Sequence, residues 1–227
     1  MPAGDHETMR ALSDAQVQQF IEDGFVRIDR AFPRELYRRG PCHPVAGHRM
    51  RSGRPGNVEK TGHPARLLRA GAVLRTAVNT PVLHAAFDSL VGKGRWRPRH
   101  SLGSFPVRFP GPDNPGDTGW HVDVSFPGES SDPNEREDFS SWRVNVTSRG
   151  RALLMLFLFS DLTDQDAPTR IRAGSHLHMA RFLAPAGEIG ISHLVLDRIG
   201  TDRPEALATG EAGTVYLRHP LLVHAAQ

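Results

Sequence analysis

The residues whose types and spacing could do chemistry are gathered in Trp120-His121-Val122-Asp123. In an extended strand alternate side chains share a face, so His121 and Asp123 would project together while Val122 points away. An imidazole and a carboxylate on one face make two adjacent legs of a metal site. A third leg has to come from elsewhere, and His224, in the apolar run Leu221-Leu222-Val223-His224-Ala225, is a candidate. Two neutral imidazoles and one carboxylate form the facial triad associated with non-heme Fe(II), which leaves coordination positions open. Spacing alone does not select this reading. With 12 His and 15 Asp in 227 residues, a His-x-Asp arises by chance about 0.8 times. A His-x-Asp on a strand is more often a hydrogen-bonded surface pair, and a histidine on an apolar strand is more often a satisfied core residue.

Composition narrows the alternatives. The hydrophobic and charged fractions, 38% and 23%, are those of an ordinary globular chain. The longest apolar run, Ala152 to Phe159, is eight residues, against the roughly 20 of a membrane-spanning helix. The first residues, Met1-Pro2-Ala3-Gly4-Asp5-His6-Glu7, carry acids where a signal peptide has basic residues, so a cytoplasmic location is expected. Cys42 is the single cysteine, which excludes an internal disulfide and a Cys-x-x-Cys metal or redox pair. A metal site would therefore have to use histidines and carboxylates.

The elements that must position these residues are partly legible. Ser13 and Gln16 have the spacing of a capping box, Val17, Phe20 and Ile21 share a helix face, and Gly24 fits the left-handed residue that ends a helix. Phe25-Val26-Arg27-Ile28 alternates as a short strand. Thr80 and Pro81 open a second helix, Pro81 to Val91, which stops at Gly92. Short extended segments follow: Leu102 to Phe109, Trp120 to Phe126, Trp142 to Thr147, Ala152 to Phe159, Thr169 to Arg172, Gly213 to Leu217 and Leu221 to Ala225. So many short strands predict a mainly β domain with N-terminal helices.

Between the two helices the chain changes character. Residues 38–75 carry nine Lys+Arg against one acid, a local charge of +8, whereas the whole chain is +3 and the remainder therefore −5. The segment is rich in proline and glycine and shows no apolar period. Three accounts stand side by side: a basic arm for polyanions, a solvated insertion loop, and a product of a local frameshift. The high pI of about 9.6 thus comes from one block and is poor evidence for nucleic-acid binding.

Several segments, in order, resemble the phytanoyl-CoA dioxygenase-like family of Fe(II)/2-oxoglutarate oxygenases: Leu12-Ser13-Asp14-Ala15-Gln16 through Gly24-Phe25-Val26, Trp120-His121-Val122-Asp123, Pro168-Thr169-Arg170-Ile171-Arg172-Ala173-Gly174-Ser175-His176, and Gly213 through Ala225. The resemblance covers residues 12–36 and 80–227. It implies one domain over 1–227, with a helical N-terminal part over 12–92 and a double-stranded β-helix (jelly-roll, cupin-like) core over 100–227. It also implies His121, Asp123 and His224 as ligands of Fe(II), Thr169 as a contact to the cosubstrate 2-oxoglutarate, and hydroxylation of an unidentified small molecule. Asp123 stands where related halogenases have a small residue, which favours a hydroxylase. His176 and His219 read as structural. Phe105, Val107 and Trp142 are candidate substrate-lining residues, although such side chains on strands are more often plain core.

The chain also departs from that pattern. The family places a basic residue about ten positions beyond the distal histidine, on the last barrel strand, to pair with the far carboxylate of 2-oxoglutarate. Gln227 follows His224 by three residues, and Ala226 stands where a hydroxyl residue is common. A barrel one strand short, with an unpaired edge and weak 2-oxoglutarate binding, is therefore expected. A truncated, catalytically inactive relative and a polyanion-binding module are the alternative functions. No membrane partner is expected, and the oligomeric state is not legible.

Overall fold

The computed structural model describes residues 12–33, 35–36, 72–100, 119–128, 141–147, 150–192 and 196–226. Helix α1 (Asp14–Asp23) starts at the expected capping box, in which Ser13 Oγ accepts from the Gln16 N–H at 3.3 Å and Gln16 Oε1 accepts from the Ser13 N–H at 3.0 Å. It ends at Gly24, whose φ of +78° only glycine adopts readily. A side chain there would also collide: a Cβ would lie 2.5 Å from His176 Nδ1 and 2.8 Å from Leu222. Strand β1 (Phe25–Ile28) follows directly. Helix α2 (Pro81–Val91) is capped by Thr80, whose hydroxyl accepts from the Leu83 N–H at 3.3 Å and donates to the Ala31 carbonyl at 2.6 Å.

Among the described residues, six short strands form two three-stranded antiparallel sheets. The first has the order β1-β5-β2, with β2 at Leu154–Phe157 and β5 at Val215–Arg218 in the centre. Alternation along β5 decides how the layers stack. Val215 and Leu217 join Val26, Ile28, Phe32, Leu83 and Phe87 in an apolar cluster that seats α2 on the outer face. Tyr216 points the other way, where Phe25 of β1 and Leu158, just beyond β2, meet Ile171, Ala208 and Leu222 from around the second. The second sheet has the order β4-β3-β6, with β3 at Arg170–Arg172, β4 at Glu205–Leu207 and β6 at His224–Ala225. Helix α3 (Ser175–Leu183) buries Met179 and Leu183 against Val122, Val144, Leu221 and Val223. Full burial of a Leu, Ile or Val of this kind is worth about 1.5–3 kcal/mol.

Some expectations change. The segments 120–126 and 142–147 are not strands but extended chain touching its neighbours through isolated bridges, His121 to His224, Phe126 to Arg143 and Val144 to Ile191. Helix α3 and strand β4 have no counterpart in the sequence reading. The N-cap of α3 is Gly174, at φ +78° and with no side-chain cap, so the usual start signal is missing; β4 is three residues, too short to show a period. The expected strand Leu102 to Phe109 and the basic segment up to residue 71 lie outside the described residues, while residues 72–78 are helical. No described helix is long and apolar enough to cross a membrane.

The C-terminal end of α1 is bolted to the rest of the fold. His176 Nε2 donates to the Ile21 carbonyl at 3.2 Å, and the N–H groups of Gly174 and His219 donate to the carbonyls of Asp23 and Gly24, each at 2.7 Å. His219 Nδ1 accepts from the Leu221 N–H at 3.1 Å, which requires the neutral ring, and its ring centroid lies 5.0 Å from that of His176. Burial, reinforced by His176, pushes the His219 pKa down to about 4; burial also lowers that of His176.

Two outcomes follow from this junction. Gly24→Ala, strained in φ and overlapping His176, should lower stability by about 2–4 kcal/mol in urea unfolding. An unfolded histidine takes up its proton near pH 6.5, whereas folded His219 resists until about pH 4. The unfolded chain therefore binds more protons between these values, and stability falls as pH is lowered through that window. His219 alone accounts for up to about 3 kcal/mol of the loss, and His219→Gln should flatten the pH dependence of the melting temperature between pH 6.5 and 4.

Candidate metal centre

Strand β6 is two residues long, yet it is gripped on both sides. On one, His224 sits opposite Ile171 of β3 and Ala225 opposite Arg170. On the other, the His224 N–H donates to the His121 carbonyl and the His121 N–H to the His224 carbonyl, both at 2.9 Å. Two further bonds hold the run that leads into β6: the Val223 N–H donates to Ser175 Oγ at 2.9 Å, and the Arg172 N–H donates to the Val223 carbonyl at 3.1 Å. Ser175 thus ties the start of α3 to the chain beside His224.

The segment carrying His121 is fixed by what surrounds it. Val122 is buried beneath α3. Two guanidinium groups lie over the Trp120 ring, that of Arg172 at 4.0 Å and that of Arg170 at 4.7 Å from its centroid. Arg172 is itself held, its Nη1 donating to the carbonyls of Leu196, Asp197 and Ile199 at 3.0, 3.2 and 2.8 Å. With Val122 turned into the core, alternation leaves His121 and Asp123 facing the same side.

That arrangement assembles three ligating side chains. One ligand atom from each of His121, Asp123 and His224 lies within 4.8 Å of the others. The two imidazole centroids are 4.4 Å apart. Each ring also has a backbone acceptor behind it: Nδ1 of His121 donates to the Gly119 carbonyl and Nδ1 of His224 to the Leu222 carbonyl, both at 2.9 Å. A carbonyl acceptor places the proton on Nδ1 and leaves the Nε2 lone pair free, the tautomer and support that metal-ligating histidines use. Burial, then the positive charge of Arg218 and the neighbouring His121, hold His224 neutral with a pKa far below its ordinary value; Asp123 opposes this only in part. A neutral imidazole is the ligating form.

Two arginines bear on Asp123. Arg151 Nη1 approaches Asp123 Oδ2 at 4.0 Å from a partly exposed position. Arg218, at the inner end of β5, is 7% exposed, and its Nε and Nη1 meet no hydrogen-bond partner among the described residues. Burial lowers its pKa, with the charge of Asp123 acting in the opposite direction. A cavity of about 140 Å³ is lined by Ser125, Asn145, Arg151 and Leu221 and by none of the three ligating residues. A larger hollow of about 570 Å³, among Arg27, Asp161, Thr209 and Glu211, contains none of the three ligating residues and lies apart from this chemistry.

Of the other candidates, Thr169 lies at the entrance to β3, its carbonyl accepting from the Ala208 N–H at 2.9 Å, and it adds no metal-ligating group. Trp142 is half-buried and does not line either cavity. Phe105 and Val107 lie outside the described residues. Sequence reasoning missed Ser175, the contacts of the Arg170 and Arg172 guanidinium groups with the Trp120 ring, and Arg218. For Arg218 a signal existed: with Val215 and Leu217 on the helix side of β5, alternation sends position 218 inward.

No protein-family model matches the chain, and no curated protein matches it. Among solved structures the chain is similar to the non-heme alpha ketoglutarate dependent carbocyclase SnoK from nogalamycin biosynthesis, at 14% identity and a TM-score of 0.44 over 99% of this chain and 81% of that one. It is also similar to EvdMO1, at 17% identity and a TM-score of 0.44, where 93% of this chain matches 45% of the other, so the chain spans under half the length of that protein.

Proposed function

We propose that the chain is an Fe(II)- and 2-oxoglutarate-dependent oxygenase that hydroxylates a small molecule, built on a double-stranded β-helix whose strands include the two sheets described above. The observation that carries this reading is the His121, Asp123 and His224 group, with ligand atoms within 4.8 Å and both Nδ1 atoms tied to carbonyls. The donor set fits the metal: two neutral nitrogens and one carboxylate suit Fe(II) and occupy one side of its coordination sphere. The family resemblance of the segments around Trp120, Pro168 and Gly213 supports the same reading.

Fe(II) held there with 2-oxoglutarate supplies the oxidation that inserts oxygen into a C–H bond, and the cofactor carries that chemistry. The chain's own residues hold and orient. His121 and His224 present Nε2, fixed in direction by Gly119 and Leu222. Asp123 supplies the negative charge, and Arg151 balances it from the solvent side. Burial of His224 beside Val223 and Leu222 keeps water from one side of the site.

The test is metal binding followed by turnover. Anaerobic titration should show one Fe(II), or Co(II) as a spectroscopic stand-in, per chain. His224→Ala and Asp123→Ala should each weaken that affinity by at least about 100-fold, because loss of a ligand exceeds the 10–100-fold typical of losing a supporting residue. With Fe(II), 2-oxoglutarate and oxygen, the wild type should release succinate. Equal metal affinity in wild type and both variants would exclude this centre.

A further inference from the structure

Strand β3 touches both segments that carry the histidines, and it does so through two arginines. Arg170 and Arg172 lie two residues apart and share one face of the strand, while Ile171 between them turns into the core. Toward β6, Arg170 Nε and Nη2 donate to the Ala226 carbonyl at 3.3 and 3.2 Å, and the Arg172 N–H donates to the Val223 carbonyl at 3.1 Å. One arginine thus holds the chain on each side of His224. Toward the other histidine, both guanidinium groups lie over the ring of Trp120, the residue before His121, that of Arg172 at 4.0 Å and that of Arg170 at 4.7 Å from the centroid.

Arg172 is the more firmly fixed of the two for this contact. It is 6% exposed, and its Nη1 donates to the carbonyls of Leu196, Asp197 and Ile199, so the guanidinium is held in place from the side away from Trp120. Burying a cation costs stability that an apolar side chain would not. What the guanidinium adds is a planar, charged face that attracts an indole ring. The contact between His121 and His224 is an isolated bridge. Its two backbone hydrogen bonds set the separation of the chains but do not by themselves stop the His121 segment from twisting about the bridge, whereas a broad ring held one residue away does. By alternation Trp120 lies on the face opposite His121 and Asp123, so the restraint acts from behind the ligands.

We propose that Arg172 is a positioning residue of the metal centre, acting through the Trp120 ring to set the direction in which His121 meets His224. The inference rests on the metal-centre reading above and adds to it the side chains that hold its geometry.

The experiment titrates the full chain and its variants with Co(II), following the visible spectrum of the bound ion, and measures the melting temperature of each metal-free protein. Trp120→Leu keeps an apolar side chain and leaves the carbonyl anchors of Arg172 in place, so it decides the matter even where Arg172→Met folds poorly. It should lose about 10-fold or more in Co(II) affinity, the range typical of removing a residue that orients a metal ligand, and shift the visible bands. Trp120→Phe, which keeps a smaller aromatic face, should recover part of both. In an Arg172→Met background Trp120→Leu should cost less than about 2-fold further, since two residues acting as one unit are not additive. Unchanged Co(II) affinity in Trp120→Leu would overturn the role and leave the metal centre standing. So would a loss of affinity that follows the fall in melting temperature with the visible bands unmoved, which marks a merely structural contact, and so would the full 10-fold loss repeated in the Arg172→Met background. Absence of Co(II) binding by the wild type would overturn the metal centre itself and this role with it.

Discussion

The reciprocal pair of backbone hydrogen bonds between His121 and His224 is the contact on which the candidate centre depends. Each bond is individually modest, about 1 kcal/mol net, and a two-residue strand held by them alone would not persist. They persist because both participants are immobilised first. Val122 and Val223 are buried in the same cluster beneath α3, and Trp120 is held by the guanidinium groups of Arg170 and Arg172 over its ring. Burial of apolar side chains supplies the free energy, and the bridge converts it into a defined separation of two imidazoles. The remaining ligand comes without further cost, since Asp123 lies two residues beyond His121 on a segment whose Val122 is already turned inward.

This division of labour explains how helices α1, α2 and α3 serve the site. Helix α2 seals the outer face of the first sheet through Leu83 and Phe87, so β5 can present its other face, with Tyr216 and Arg218, to the interior. Helix α3 carries the floor beneath Val122 and Val223, and Ser175 at its start receives the Val223 N–H. Helix α1 closes the corner where β5 turns toward β6, through Gly24 and the His176 and His219 pair. The neutral histidines of that corner act through shape and hydrogen bonding, whereas the neutral His224 belongs to the candidate metal centre. One residue type thus serves two ends, and the partner of Nδ1 separates them: His224 and His121 donate from Nδ1, while His219 accepts there.

Electrostatically the centre is arranged around one carboxylate and one buried cation. Asp123 and Arg218 attract, but Arg218 also has nitrogens left without acceptors, and its charge depresses the basicity of His224. A charged group buried without acceptors costs the fold stability.

Much of the local structure was legible because its causes are local. The Ser13 and Gln16 box, the Gly24 stop, the Thr80-Pro81 start and the alternation of Phe25 to Ile28 each involve residues within four positions of one another, and the structure places α1, β1 and α2 where these signals do. The residue types of the candidate centre were legible for the same reason, His121 and Asp123 through a period of two. Helix α3 was not, because Gly174 starts it without a side-chain cap, and segments 120–126 and 142–147 were read as strands because alternation reports a buried face and says nothing about whether a neighbouring strand exists to pair with. The sequence by itself determined where the chain turns, which side chains share a face, and that any metal would meet nitrogen and oxygen in place of sulfur. Only the tertiary structure decided that His224 meets His121 across about a hundred residues, which carbonyl fixes each ring, and that Arg218 is buried beside them, because these follow from packing between distant segments that no local period encodes.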